Sequence, residues 1–427
     1  MEPLSFDHHS LDRRGFLGHA TLAGASWLTT AGTLLARAAA PPGKTRVPAK
    51  SIIILWMGGG PSQLETFDPH PGTEIAAGTG AIATKVKGVQ VAPGLGRFAE
   101  EMNSVALIRS MVSKEGDHER GTYNMKTGFR PDPTVVHPSI GAIFCHERPA
   151  LKTEIPHHVS ILPGQWNGRG GYLGEQFDAF HSGDPAQPVP DTVSNLSKDR
   201  DAERLRHLDA IESAFAKRRR NRAEATLHRD TVSAARKTMS SEQLEAFDVT
   251  KEPLALRRSY GDTPFGRACL AARRLTEVGV RCIEVTLGGW DTHANNHSGT
   301  CSQLAILDPA FSTLIRDLRE RNLLEQTVVL CAGEFGRTPK MNPAGGRDHW
   351  PTGFSVALAG GGVRGGIVHG ETDPDGKDKP TDPVAVADLH ATILTAVGID
   401  PKKLNQTPIG RTVRNSEGKA VEGLLKS

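Results

Sequence analysis

The chain has 427 residues, with 51 basic and 48 acidic side chains and a net charge of +3 when histidines are neutral. A balance this even argues against a nucleic-acid binder. The five cysteines (Cys145, Cys269, Cys282, Cys301, Cys331) are odd in number and show no Cys-x-x-Cys spacing, which argues against a disulfide framework or a thiolate metal site.

The first element is an export signal. Arg13-Arg14-Gly15-Phe16-Leu17 is an arginine pair, a spacer and Phe-Leu, and a weakly apolar run of small residues follows from His19 to Leu35. Ala36, Ala38 and Ala40 offer a cleavage site of the Ala-x-Ala type. Residues 1–40 therefore read as a twin-arginine signal peptide and 41–427 as the mature domain. The expectation is export of a folded protein by the twin-arginine translocase, to the periplasm or outside the cell. The apolar run is too weak for a stable membrane span, and no other segment approaches the length of one.

Ile52-Ile53-Ile54-Leu55-Trp56 has the length and β-branching of a buried parallel strand, and it stops at Met57-Gly58-Gly59-Gly60-Pro61. Strands are also predicted at 105–108 and, more weakly, at 158–162. Residues 191–260 differ in character: charge is dense, including Arg218-Arg219-Arg220, and Leu205, Leu208, Ile211 and Phe215 recur at helical spacing. This region reads as a helical insertion with a solvated face. Strand–helix alternation then returns, with helices near 263–278 and 302–321 leading to strands at 281–287 and 327–331. A further strand lies at 354–358. A last helix, capped by Asp382 with Pro383 at its first position, runs to Val397. Such alternation gives a three-layer α/β sandwich around a mostly parallel sheet.

In open α/β sheets, ligands bind beyond the carboxyl ends of the strands. Three successive strand ends are followed by Gly289-Trp290-Asp291-Thr292-His293, by Glu334-Phe335-Gly336-Arg337, and by Arg347-Asp348-His349-Trp350. Carboxylates and imidazoles are ligands for divalent ions. The same residue types would also serve a buried Asp–His–Arg hydrogen-bond network. Arg337 and Arg347 stand beside the proposed ligands, where each would clamp an anion or pair with a neighbouring carboxylate.

Gly-Gly-Pro-Ser at 59–62, Gly-Gly-Trp-Asp-Thr-His at 288–293, Glu-Phe-Gly-Arg-Thr-Pro at 334–339, Gly-Arg-Asp-His-Trp-Pro at 346–351 and Asp388-Leu389-His390-Ala391-Thr392-Ile393-Leu394 together resemble a secreted bacterial family catalogued as domain of unknown function 1501. The resemblance covers most of the mature chain. A looser one, to the alkaline phosphatase and sulfatase superfamily, implies that superfamily's fold and metal-dependent hydrolysis of a phosphate or sulfate ester, small-molecule or glycan. It implies one or two divalent ions (zinc, manganese or calcium) held by Asp291, His293, Glu334, Asp348 and His349, with His297 a rival to His293. His118 stands at the nucleophile position, where it would act as nucleophile, base or ligand, and Thr122 is the nearest hydroxyl. Arg337 would steady the anion, and His390 reads as structural. Two departures stand out. Met57-Gly58 replaces the superfamily's first metal-binding Asp, leaving Gln63, Glu65 or Asp68 to reach back, and no serine or cysteine occupies the nucleophile position. These favour an alternative, a catalytically silent fold that binds an anionic glycan or a protein partner.

Overall fold

The computed structural model describes residues 47–148, 153–218, 228–377 and 379–426. The expected signal peptide, with Arg219 and Arg220 of the arginine run, lies outside the described residues.

Among the described residues, nine strands make one sheet. In chain order they are β1 (Ser51–Met57), β2 (Val105–Val112), β3 (His158–Ile161), β4 (Phe180–Ser182), β5 (Cys282–Leu287), β6 (Thr327–Ala332), β9 (Phe354–Gly360), β10 (Ile367–His369) and β11 (Val384–Ala385). Two short strands, β7 (Gly336–Arg337) and β8 (His349–Trp350), form a separate antiparallel ribbon. The order in the large sheet is β10-β2-β9-β6-β1-β5-β3-β4, with β11 also on β2. Pairing is parallel except at β9, which runs antiparallel to both β2 and β6. The mostly parallel sheet expected from the alternation is present.

β1 lies between β5 and β6, with Ile54 level with Glu284 and Leu330. All seven of its residues are buried, as a central parallel strand with both faces covered requires. Ile53, Leu55 and Met57 face a core shared with α5 (Pro264–Glu277) and α6 (Asn296–Glu320). Ile52, Ile54 and Trp56 face a second core shared with α1 (His118–Thr127), α2 (Ile140–Glu147) and α7 (Val386–Ala396). The result is three layers. The segment read as a helical insertion contains α3 (Lys198–Arg218) and α4 (His228–Met239). Leu205 and Leu208 of α3 are half-buried and Ile211 is exposed, so this helix packs lightly. No described helix is long and apolar enough to cross a membrane.

Two helix starts differ from expectation. α6 begins at Asn296 rather than near 302, because Asn295 takes the left-handed conformation (φ 50°) that turns the loop into the helix early. α7 begins at Val386, not Pro383. Val384–Ala385 is drawn into the sheet against β2, Asp382 sits at φ 44° before it, and the carboxylate of Asp388 accepts the Ala385 N–H at 3.3 Å instead.

Candidate metal centre

The carboxyl ends of β1, β5 and β6 open side by side. The chain after β1 must pass between the loops of its neighbours, and Gly59 makes this possible. Its φ is 116°, and a Cβ there would stand 2.5 Å from the Asp291 nitrogen. Its N–H donates to Glu334 Oε1 at 2.9 Å. The loop after β5 brings Asp291 and His293, and the loop after β6 brings Glu334. The β7–β8 ribbon pairs Arg337 with His349, which folds Asp348 and His349 back over the same opening. Gly346 allows that approach, since a Cβ at this position would meet the His293 carbonyl at 2.0 Å. His118 arrives from the opposite side as the first residue of α1, a helix capped by Asp117, whose side chain accepts the Arg120 N–H at 2.9 Å.

The three imidazoles are oriented alike. His118 Nδ1 lies 2.7 Å from Glu334 Oε1, His293 Nδ1 lies 2.7 Å from Asp348 Oδ1, and His349 Nδ1 lies 2.8 Å from the Gly116 carbonyl. Carboxylates and carbonyls only accept, so each Nδ1 carries a proton, and in the neutral ring Nε2 is then the nitrogen with a lone pair to offer. The three Nε2 atoms converge on Asp291. His118 Nε2 is 3.3 Å from Oδ2, while His293 Nε2 and His349 Nε2 are 3.1 and 3.4 Å from Oδ1. His293 and His349 are 3.1 Å apart, Nε2 to Nε2.

Donors at about 2 Å from one ion stand roughly 3.3 Å from one another, and the separations of the three rings from Asp291 and of His293 from His349 are of that size. His118, Asp291 and His349 alone place one donor atom each within 4.8 Å of the others. Charge agrees with the geometry. Asp291, Glu334 and Asp348 against the single guanidinium of Arg337 leave two negative charges around the imidazoles, the complement of one divalent cation. The opening faces solvent, with the Asp291 side chain 46% exposed.

This arrangement redistributes the expected roles. Glu334 and Asp348, expected as ligands, stand behind His118 and His293 and hold those rings, as outer carboxylates do around metal-bound histidines. Glu334 is buried, with Oε2 left without a partner. His118, expected at the nucleophile position, joins the donors. Arg337, expected to steady an anion, has no exposed side-chain surface. It donates to the Gly59, Gly60 and Arg347 carbonyls and, at 2.5 Å, to Asp291, so it holds the Asp291 carboxylate. Arg347 is equally buried, on Glu65 at 2.8 Å and on the Thr338, Pro339 and Ile75 carbonyls. Of the three groups expected to reach back, Gln63 bonds the Arg337 backbone, Glu65 pairs with Arg347, and Asp68 binds Thr372 and Arg109. His297 turns to the Ala77 carbonyl at 3.0 Å. Thr122 is buried inside α1.

Two contributors went unnoticed in the sequence. Phe335 walls the centre, its ring centroid 5.2 Å from that of His118 and 4.4 Å from that of His349. Asn342 braces Asp348 at 3.2 Å and the His293 carbonyl at 2.9 Å. Phe335 was visible only as a member of the Glu-Phe-Gly-Arg-Thr-Pro motif, and Asn342 carries no signal beyond its nearness to Asp348.

The protonation equilibria follow the contacts. The hydrogen bond to Glu334, aided by the charges of Glu334 and Asp291, raises the His118 pKa against the opposing effect of burial. Burial lowers that of His349, and the nearby Arg337 adds to this. Burial alone would raise Asp291, but the Arg337 hydrogen bond and charge outweigh it and hold the carboxyl below its ordinary value. The His293 hydrogen bond, then that from Asn342, does the same for Asp348.

The family model described as "Protein of unknown function (DUF1501)" matches residues 49–425. No curated protein matches the chain. Among solved structures it is similar to the PsFucS1 sulfatase from Pseudoalteromonas sp., at 12% identity over 88% of this chain and 74% of that one, with a TM-score of 0.40. It is also similar to the alkaline phosphatase from the Antarctic bacterium TAB5, at 16% identity over 83% and 99%, with a TM-score of 0.39. A third is the lipoteichoic acid synthase LtaP from Listeria monocytogenes, at 8% identity over 82% and 72%, with a TM-score of 0.38.

Proposed function

The chain belongs to the DUF1501 family, and from that premise we propose that this member is an exported, metal-dependent hydrolase of a phosphate or sulfate ester. The observation that carries the reading is the set of three imidazoles, each with Nδ1 tied to an oxygen and Nε2 turned to one carboxylate. His118, Asp291, His293 and His349 would hold the ion. Three nitrogens and one carboxylate suit zinc or manganese, whereas calcium takes oxygen ligands, so the donor set speaks against calcium. A bound divalent ion supplies Lewis-acid polarisation of the ester oxygen and lowers the pKa of a bound water.

The protein's own groups do the rest. Glu334 and Asp348 keep the rings of His118 and His293 turned and their Nδ1 atoms protonated. Arg337 fixes Asp291 and offsets part of its charge. Phe335 closes one wall, and the half-exposed Asp291 and His293 leave the centre open to solvent. Export by the twin-arginine translocase, to the periplasm or beyond the cell, fits a site of this kind. That route carries folded proteins, so the ion would be chosen in the cytoplasm before transport.

One observation favours a second reading. Among the described residues, the side chains in contact with Asp291 (His118, His293, Arg337 and His349) include no hydroxyl or thiol, so hydrolysis through a covalent seryl or cysteinyl intermediate has no acceptor among them. On that reading the centre is catalytically silent and the fold binds an anionic glycan or protein. The test is to purify the mature chain, measure bound zinc, manganese, calcium and iron, and assay aryl phosphate and aryl sulfate turnover, with His118→Ala as control. The hydrolase reading expects stoichiometric metal, with turnover lost in the variant. Metal without turnover of either ester favours the silent binder, and a folded, metal-free protein contradicts the metal centre.

A further inference from the structure

We infer that the buried ion pair between Lys126 and Glu284 is a positioning device, which fixes α1 against β5 and so sets His118 opposite Asp291. The inference rests on reading the centre as a metal site.

Lys126 Nζ lies 2.8 Å from Glu284 Oε2, with the two side chains 7% and 1% exposed. Glu284 sits in the middle of β5, level with Ile54 of β1 and Ser160 of β3. Its carboxylate also meets His158 Nε2 at 3.4 Å and accepts the Gly168 N–H at 3.3 Å. The Lys126 ammonium stands 5.1 Å from the centroid of the Trp56 ring. Burial opposes the charge on Glu284, but Lys126 and then His158 outweigh it and hold the carboxyl well below its ordinary range.

A carboxylate is out of place here. Strands covered on both faces read as unbroken apolar runs, as Ile52-Ile53-Ile54-Leu55-Trp56 and Val328-Val329-Leu330-Cys331-Ala332 do. A buried ion pair is a weak source of stability, because removing both charges from water offsets their attraction, and an apolar pair of similar volume often serves as well. What the pair adds is direction. Apolar side chains tolerate a small slide of a helix over a sheet, whereas a short charged contact with further hydrogen bonds on the same carboxylate does not. Lys126 follows His118 by eight residues, about 12 Å along the helix, and Glu284 lies upstream of Asp291 on the neighbouring strand and its loop. One contact therefore joins the two elements that carry facing ligands, in a site whose geometry must hold to about 0.5 Å.

The experiment uses the mature chain with Lys126→Met and Glu284→Gln combined, which removes both charges and leaves an amide to accept the Gly168 N–H. Zinc affinity is measured by competition titration, geometry by the visible spectrum of the cobalt-loaded protein, and folding by thermal melting. The expected result is a folded protein whose zinc affinity falls about ten- to a hundredfold, as when outer supports of metal ligands are lost, with a shifted cobalt spectrum. A folded double variant with wild-type affinity and spectrum overturns the inference. Lys126→Arg keeps the charge, and with it the fold, but carries it on a longer planar group. It is expected to lower the affinity severalfold, and unchanged affinity there overturns the inference as well. A wild-type chain that takes up neither zinc nor cobalt would instead overturn the metal reading on which the inference stands.

Discussion

At its N-terminal end α1 delivers His118 to a cluster in which Asp291 and His293 are each 46% exposed. At its C-terminal end it delivers Lys126 to Glu284, which is almost wholly enclosed, and the Met125 carbonyl to the buried His390 at 2.8 Å. Both ends use a histidine, a carboxylate and a cation. In the closed end the charges cancel between neighbours, and Lys126, Glu284 and His158 are nearly enclosed. In the open end each imidazole is tied at one nitrogen, and the other points to a shared, half-exposed carboxylate. Residue type is therefore a poor guide to a site, and unspent donor atoms that converge are a better one.

That contrast can be broken most forcefully at the closed end. Lys126→Met alone leaves Glu284 buried without its ammonium partner, and we expect a loss of about 3–5 kcal/mol of stability by urea denaturation. His293→Asn at the open end is expected to leave stability nearly unchanged while removing stoichiometric metal. Equal stability losses would mean that the two ends do not differ as described.

His390 gives the next effect. Burial pushes its pKa from 6.5 down to about 4 in the folded chain. The unfolded chain therefore binds a proton that the folded chain refuses between those values, and stability must fall as pH drops from 6.5 toward 4. The loss is of order 3 kcal/mol over that window. His390→Gln, which keeps a donor for the Met125 carbonyl, should flatten this part of the acid limb relative to wild type in denaturant titrations at about pH 7 and pH 4.5. Parallel curves would show that His390 titrates normally.

Asp348→Asn addresses the open end again. It replaces the charged acceptor that holds His293 with a neutral amide and should weaken metal binding about ten- to a hundredfold with the melting temperature little changed. If Asp348 were itself a ligand, binding would be lost outright. The smallest effect is at the cap of α1. Asp117→Ala should cost about 1 kcal/mol, measured by thermal melting, with no change in the cobalt spectrum as long as Lys126 and Glu284 hold the helix.

The fold was largely legible in the sequence because its signals are local. The apolar run 52–56, the strands at 281–287 and 327–331 and the helix near 263–278 appear within a residue or two of where hydrophobic spacing puts them. The start of α7 was not legible, because Val384–Ala385 follows the edge of β2, a long-range partner that outweighs the helix-starting chemistry of Asp382-Pro383. The loops of the centre were legible from their places after strands. The division of labour within them was not. Whether Glu334 binds an ion or an imidazole depends on the direction of the His118 ring, and that is set by α1 approaching from another layer. Arg337 gives the same lesson, since its neighbours in sequence suggest an anion clamp, while the turn at Gly59 and Gly60 supplies the carbonyls that enclose it.

The most direct test is X-ray absorption at the metal edge of the purified, metal-loaded mature protein. The account predicts a first shell of nitrogen and oxygen with the scattering pattern of three imidazoles, reduced to two in His118→Ala. A shell dominated by carboxylate oxygens, or one unchanged by that substitution, would contradict it.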